Sequence, residues 1–490
     1  MDDHRAGDGR PGGRPNVILI NCDDLGYGDL GCYGSTLHDT PVIDRLASEG
    51  ARLTDFYMAS PVCSPSRAAM LTGSYPTRVG FGGEEGGGLG GVLFPGWPIG
   101  LNPDEVTIAR ILRDAGYATM AIGKWHCGDQ PPFLPTNHGF DEWFGIPYSN
   151  DMGRQVEPPE GLTMAQIGEY LLDHGITLPW IRPPLPVMEG TEVVEAQPDQ
   201  AELTSRYVDR GVEFIRAHAD EPFFLYMAHM YVHLPIYVQE RFLAESRNGP
   251  YGAAVASIDW ATGVLVDELD RLGLADDTIV IVTSDNGALD PAKGGSGSNA
   301  PLRAYKGTTW EGGQRVPCVV RWPGRIEAGT TVTEPVSSLD LLPTLARLGG
   351  GTVPDDRVLD GADIGAVLGL GGDAPDPERP FFYIDDGNVE AVRAGRWKLH
   401  VRKKRHEMCE LYDLSVDVGE EHDLAGEQPE VVARLAALVD AARADLGDQA
   451  LGIVGAGTRP IGRVDDPVPL TTFDPDHPYF MAEYDLHHRG

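Results

Sequence analysis

Cysteine, basic side chains and long apolar runs are all scarce in this chain. Its 490 residues include six cysteines, Cys22, Cys32, Cys63, Cys127, Cys318 and Cys409, and no two form a close C-x-x-C pair. That excludes a disulfide-stapled scaffold, which needs dense, paired cysteines. Lys and Arg number 39 against 74 Asp and Glu, a formal net charge of -35. A field of that sign repels phosphate backbones and anionic headgroups, so neither nucleic acid nor a membrane surface is expected as a partner. Apolar stretches such as Val17–Ile20 are too short to span a bilayer. The opening residues MDDHRAGDGRPGGRPN lack the apolar segment of an export signal, which predicts a cytoplasmic location.

Hydrophobic residues make up 41% of the chain, the level of a globular protein with one large domain and a smaller one, or several. Residues 1–15 read as a disordered lead. NVILIN at 16–21 is a short β-branched run before Asp23-Asp24, the pattern of a buried strand ending in an acidic loop. TPVIDRLASEG at 40–50 reads as a helix opened by Thr and Pro and closed by Gly. SPSRAAMLTG at 64–73 starts a second helix and TIARILRDAG at 107–116 a third. The strand ATMAIG at 118–123 follows that third helix. FFLYMA at 223–228 follows the helical stretch 201–218, and TIVIVTS at 278–284 follows a helix from about Gly252 to Leu272. Apolar strands alternating with helices predict an α/β fold on a largely parallel sheet. Residues 82–100 form a Gly-rich candidate flap, 293–303 a loop, and the Pro-rich stretch 155–200 an insertion over one face. FFYID, EAVRAGRWKLHV and ELYDL within 381–414, with a helix at 429–443, predict a small α+β domain. The expected division is therefore 16–375, 376–450 and an extension 451–490 that packs on the surface.

Six places could carry chemistry. Asp23-Asp24 and Asp285-Asn286 each end an apolar strand, where ligand sites of open α/β sheets gather. Adjacent carboxylates repel unless a hard cation joins them, and these oxygen donors suit Ca²⁺ or Mg²⁺ rather than zinc. Taken singly, each pair reads more simply as a solvated acidic loop or a turn. CSPSR at 63–67 leads into a helix, where amides attract anions and the Arg67 fork matches a tetrahedral anion. Cys63 is then either a thiolate nucleophile activated by the helix end or a small packed side chain. In GKWHCG at 123–128, Lys124 and His126 alternate along an extended strand end, so a cation and an acid/base can share one pocket. AHMYVHLPIY at 228–237 offers His229 and His233, whose spacing in a loop makes no clear metal pair. Lys306 lies in the turn-rich stretch RAYKGTTWEGGQRVP at 303–317, where a lone lysine is usually solvated.

In this order the segments resemble the sulfatase family. VCSPSRAAMLTG at 62–73 is similar to its Cys-x-Pro-x-Arg signature, and GYATMAIGKWH at 116–126 to its second signature. The two acidic pairs, Lys306 in YKGTTWEGG and LYDLSVDVGEEHDLA at 411–425 fall where the family has them. The likeness runs from Asn16 to about Asp445, and GIPYSND at 145–151 resembles the arylsulfatase A-like branch.

The resemblance implies an alkaline-phosphatase-like fold, a large mixed, mostly parallel sheet flanked by helices with a smaller C-terminal α+β domain. It implies a sulfuric ester hydrolase acting on a small sulfate monoester, with a phosphonate or phosphate monoester hydrolase of the same superfamily as the alternative. Cys63 would be oxidised to formylglycine by a separate formylglycine-generating enzyme, hydrate to a gem-diol and form a covalent sulfate. Asp23, Asp24, Asp285 and Asn286 match the calcium ligands, with the modified Cys63 completing the shell. By the same resemblance Arg67 orients the diol, and Lys124, Lys306 and Ser149 contact the sulfate. His126 assists collapse of the covalent sulfate, and His233 contacts the sulfate and assists the leaving oxygen. Two positions depart from the family pattern: Asn150 where His is common, and Val232 where Pro is common before His233. His229 and Cys127 match no family role and are expected to be structural. Trp97, Trp180 and Tyr237 are aromatic residues able to stack a ring or simply to pack. Oligomeric state has no signature in the sequence. An anionic ester facing a chain of net charge -35 requires a locally positive pocket.

Overall fold

The strand Asn16–Cys22 is buried along its whole length. Side chains alternate across a strand, so Val17 and Leu19 enter one apolar layer while Ile18, Ile20 and Cys22 enter the other. A strand covered on both faces must be apolar at nearly every position, and this one therefore reads as a continuous run. The computed structural model describes residues 13–82, 91–153, 163, 166, 183–404, 406–474 and 476–479. Within it, Phe223–Ala228 and Thr278–Ser284 flank the strand on either side, both parallel to it. Ala118–Lys124 and Glu142–Ile146 continue the parallel run beyond Phe223–Ala228. On the other side Arg315–Arg321 runs antiparallel between Thr278–Ser284 and Ala51–Tyr57. Eleven described strands make up this sheet. Helices Pro41–Glu49, Gln200–Ala217 and Gly249–Leu272 cover one face, and Cys63–Thr72, Ile108–Asp114 and Leu341–Gly349 the other.

Register brings the chemistry-bearing residues to one edge. Cys22 lies opposite Ser284, Asn21 opposite Ala228, and Ala228 opposite Gly123. Asp23-Asp24, Asp285-Asn286, His229 and Lys124 follow directly, so all leave the sheet at its carboxyl edge.

Among the strands with no counterpart in the expectations from sequence, Ala51–Tyr57 and Arg315–Arg321 are the two longest. Charged residues disguise them, and neighbours in space neutralise those charges: Arg315 pairs with Asp55 at 2.7 Å and Arg321 with Glu49 at 2.7 Å. The described end of the stretch 155–200 also differs from an insertion over one face. It forms a hairpin, Pro186–Glu189 and Glu192–Ala196, that extends the large sheet beyond Glu142–Ile146. Glutamates at 189, 192 and 195 suit such an edge, where charge discourages further pairing. The lead at 1–12, the flap tip at 83–90 and most of 154–182, including Trp180, lie outside the described residues.

Four antiparallel strands, Phe381–Asp385, Asn388–Ala394, Trp397–Lys403 and His406–Asp413, form the second sheet, against which helix Pro429–Leu446 packs. Their apolar cluster includes Tyr57, Ala59, Ala69 and Tyr75, so the two sheets share packing. Gly462–Arg463 pairs with Ile99–Gly100 and lays the C-terminal extension along the flap. A large mixed, mostly parallel sheet between helices with a small C-terminal α+β unit is the alkaline-phosphatase-like arrangement. Among the described residues no helix is long and apolar enough to cross a membrane.

Candidate active site

Cys63 is the first residue of a helix, Cys63–Thr72, that is buried at all ten positions. Two of its side chains fasten it to the carboxyl edge of the sheet. Ser66 Oγ donates to the Asp285 carbonyl at 2.5 Å, and Arg67 Nε to Asp285 Oδ2 at 2.8 Å. Arg67 also donates to the Lys124 carbonyl at 2.7 Å. One guanidinium thus ties the Cys63 helix to the ends of two strands.

The acidic pairs meet there. Lys124 Nζ donates to Asp23 Oδ2 at 2.5 Å and to Ser149 Oγ at 3.1 Å. Lys306 Nζ reaches both oxygens of Asp24, at 2.7 and 2.9 Å. Asn286 Nδ2 donates to Asp24 Oδ1 at 2.6 Å, and the Asp24 amide to Asp285 Oδ1 at 3.2 Å. Asp24 adopts a left-handed φ of 63°, a conformation that short Asp side chains tolerate better than most. His233 Nε2 stands 4.0 Å from Asp24 Oδ2. Asp23, Asp24 and His233 each offer a ligand atom, all within 4.8 Å of one another.

This donor set fits a hard divalent cation. Asp23 Oδ1 and Asn286 Oδ1 are buried and have no hydrogen-bond partner among the described residues. An unmet buried acceptor is costly, and a cation beside it removes that cost. The charge state points the same way. Burial raises the Asp23 carboxyl, but Lys124, His233, Arg67 and Lys306 outweigh it and hold the group well below the usual carboxylate range. Burial and then Asp23 push its neighbour Asp285 up to about 7 against the pull of Arg67. Two carboxylates this close resist ionising together, and a dication relieves both.

The same field decides between the two readings of Cys63. Burial pushes its thiol above the ordinary range, and the pull of Lys124 and Lys306 does not overcome it. That shift favours the protonated thiol and weakens the reading of Cys63 as an unmodified thiolate nucleophile.

His126 does not continue an extended strand alongside Lys124, as the sequence suggested. The strand stops at Lys124, and His126 takes a left-handed φ of 59°. That turn brings Nε2 within 3.0 Å of the Leu93 carbonyl. A carbonyl only accepts, so Nε2 carries the proton and Nδ1 keeps its lone pair. Nδ1 is buried without a partner among the described residues. Burial, then Lys124 and Arg67, push His126 well below its ordinary pKa and keep it neutral. His233 has the opposite tautomer: Nδ1 donates to the Leu234 carbonyl at 2.5 Å, leaving Nε2 on the side of Asp24.

The remaining candidates are structural in their contacts. Asn150 donates to Gln200 Oε1 at 3.1 Å and to the Pro235 carbonyl at 2.9 Å, which ties the Ser149 turn to the His233 turn. His229 is fully buried, and burial with Arg67 lowers its pKa to about 4. Cys127 packs in the apolar layer with Trp125. Trp97 packs against Phe94, ring centroids 5.0 Å apart. Ser64 and Leu93 were missed from sequence. Ser64 Oγ accepts from the Leu93 amide at 3.1 Å, so a flap residue bridges the Cys63 helix and His126. Ser64 stands inside the CSPSR motif and could have been marked, but Leu93 acts through its main chain and leaves no side-chain signal.

Known proteins share this architecture. A family model described as Sulfatase matches residues 15–351, and one described as N-sulphoglucosamine sulphohydrolase, C-terminal, matches 305–445. The chain is 39% identical over 455 residues to arylsulfatase A of Homo sapiens, covering 86% of each. It is 39% identical over 394 residues to N-acetylgalactosamine-6-sulfatase of Canis lupus familiaris, covering 79% of this chain and 71% of the relative. Among solved structures, the PsFucS1 sulfatase from Pseudoalteromonas sp. superimposes with a TM-score of 0.76 at 29% identity, covering 88% of this chain and 90% of that one. The cytoplasmic location expected from the opening residues is corrected by these relatives: arylsulfatase A and N-acetylgalactosamine-6-sulfatase are not cytoplasmic enzymes. A polar first stretch is no measure of compartment once the family is known.

Proposed function

Because the chain belongs to the sulfatase family, a family of sulfuric ester hydrolases that work with a metal and an oxidised cysteine, we propose that its metal is calcium and that Cys63 acts as formylglycine. Asp23, Asp24, Asp285 and Asn286, with position 63, would hold the ion. The supporting observation is the pair of partnerless buried oxygens, Asp23 Oδ1 and Asn286 Oδ1, set among Arg67, Lys124 and Lys306. When present, calcium supplies a Lewis acid for a sulfate oxygen, and the hydrated aldehyde at position 63 supplies the attacking hydroxyl.

The protein's own groups do the rest. Lys124 and Lys306 present Nζ donors to the non-bridging sulfate oxygens, where charge builds as the bond to the alcohol breaks. Ser149 accepts a hydrogen bond from Lys124 and so steadies it, and Arg67 holds both Asp285 and the Lys124 carbonyl. His126, protonated at Nε2, accepts the proton of the hydroxyl at position 63 on Nδ1. His233, whose first proton is committed from Nδ1 to Leu234, must take up a second at Nε2, becoming an imidazolium, before it can protonate the departing oxygen. Burial excludes water from these groups, which strengthens each interaction.

This reading assigns catalysis to 16–375, a supporting role to 376–450 and a surface strap to 451–490. It requires a formylglycine-generating enzyme for maturation and takes a small sulfate monoester as substrate. Hydrolysis of phosphonate or phosphate monoesters is not favoured, since the matching family model and the relatives are those of sulfatases. The test is release of sulfate from a small aryl sulfate in calcium, beside a matched phosphate ester. The protein should have its position-63 peptide mass confirmed as the aldehyde. Faster sulfate release is expected, and faster phosphate release would overturn the assignment.

A further inference from the structure

The loop that carries Lys306 is held from two sides. The large domain fixes it by main-chain bonds, Lys306 N to the Ala288 carbonyl at 3.0 Å and Gly307 N to the Pro61 carbonyl at 2.9 Å. The C-terminal sheet fixes it three residues later, at the fully buried Thr309. The Thr309 hydroxyl donates to Glu390 Oε2 at 2.6 Å and accepts from Lys403 Nζ at 3.0 Å. Its carbonyl accepts from Lys398 Nζ at 2.9 Å. Lys398 is itself wholly buried and spends its other two protons on Glu311 Oε1 at 2.8 Å and Glu420 Oε1 at 2.9 Å. Glu420 also accepts from the Glu311 amide at 2.8 Å, and its carbonyl accepts from Arg303 at 2.7 Å on the other flank of Lys306.

Stability alone is a poor reason for this network. Buried ion pairs stabilise little more than well-packed apolar residues of the same volume. What a fully satisfied polar network adds is a single geometry. A flexible lysine whose ammonium must meet a sulfate oxygen needs its main chain placed to within about half an ångström. We infer that Thr309, backed by Lys398 and Lys403 of the C-terminal sheet, is a positioning residue for Lys306. The second sheet thereby sets where the sulfate-binding ammonium stands, an inference that rests on the role given to Lys306 above.

A double-mutant cycle on the matured full-length enzyme tests it, read as kcat/KM for a small aryl sulfate. Lys306→Ala should lose about a hundredfold or more. Thr309→Val should lose about tenfold in the native background and less than about twofold in the Lys306→Ala background, because coupled sites are not additive. Thr309→Ser, which restores the hydroxyl, should stay within about twofold of the native enzyme. An equal loss in both backgrounds, or a Ser variant as poor as Val, would overturn the inference. If Lys306→Ala itself costs nothing, the role of Lys306 fails first and the inference falls with it. Should Thr309→Val not fold, Lys403→Met removes the half-buried donor to the same hydroxyl and is judged by the same cycle.

Discussion

Lys124→Met removes a charge and keeps nearly the same volume, so its effects separate cleanly. The Lys124 side chain is fully buried, and its ammonium has two partners, Asp23 Oδ2 and Ser149 Oγ. Losing one preorganised donor to a developing anion costs about 10²–10³ in kcat, or about 2.7–4 kcal/mol. A second cost falls on the fold. Asp23 is left with Arg67 at 3.7 Å and the more distant cations. Breaking one side of a buried ion pair typically costs about 3–5 kcal/mol. Calcium beside Asp23 would replace the missing charge, so the melting temperature should fall less in calcium than in chelator. Aryl sulfate turnover and paired thermal melts read the two effects. A kcat within tenfold of the native value would refute the contact with sulfate. Equal losses of melting temperature in calcium and chelator would refute the place of Asp23 in the metal shell.

Cys63→Ala should abolish turnover while leaving the melting curve in chelator intact, and any substantial residual turnover would move the nucleophile elsewhere. Asp285→Asn should weaken calcium binding by about 10–100-fold or more, measured by titration calorimetry; an unchanged affinity would undo the ligand assignment. The acid limb of kcat should lie below pH 6.5. His126 must be neutral to accept a proton, and burial with Lys124 and Arg67 pushes its pKa below 6.5, so the active base form persists as pH falls to that lower value. Lys124→Met removes one of those cations and should shift the limb upward, whereas a limb that stays in place would detach it from His126.

The order of motifs was legible because the fold delivers them simply. Asp23, Asp24, Asp285 and Lys124 all end strands whose neighbours are set by parallel register, and parallel strands announce themselves as apolar runs. Cys63 and Arg67 lie four apart on one short helix. What stayed hidden was set by contacts across long separations. The tautomer of His126 depends on the Leu93 carbonyl, a main-chain atom in a Gly-rich flap. Asn150 looked like a departure in the substrate site, yet its amide buttresses the Pro235 turn. Lys306 looked like an isolated surface lysine because the residues that hold its loop, Glu390, Lys398 and Lys403 of the second sheet and Glu420 of the loop after it, lie some 80 to 115 positions later. Strand Arg315–Arg321 was hidden by arginines whose nearest acidic partners, Asp55 and Glu49, lie on segments more than 250 residues earlier.

The net charge of -35 and an anionic substrate are reconciled locally. Surface carboxylates act over a screening distance of about 8 Å at physiological ionic strength, so most of the acidic surplus does not reach a buried site. Inside, three carboxylates, Asp23, Asp24 and Asp285, face three cations, Arg67, Lys124 and Lys306. With all three carboxylates ionised, as a dication would make them, and His126 and His233 uncharged, the protein groups sum to zero and by themselves have no strong hold on an anion. A bound dication brings the cluster to a net charge of two, in a medium where each charge acts at short range with little screening. On the proposed assignment, the acidic residues would hold the metal, its charge would offset the carboxylates that now pair with the lysines, and the loaded site would be positive enough to draw in a sulfate ester.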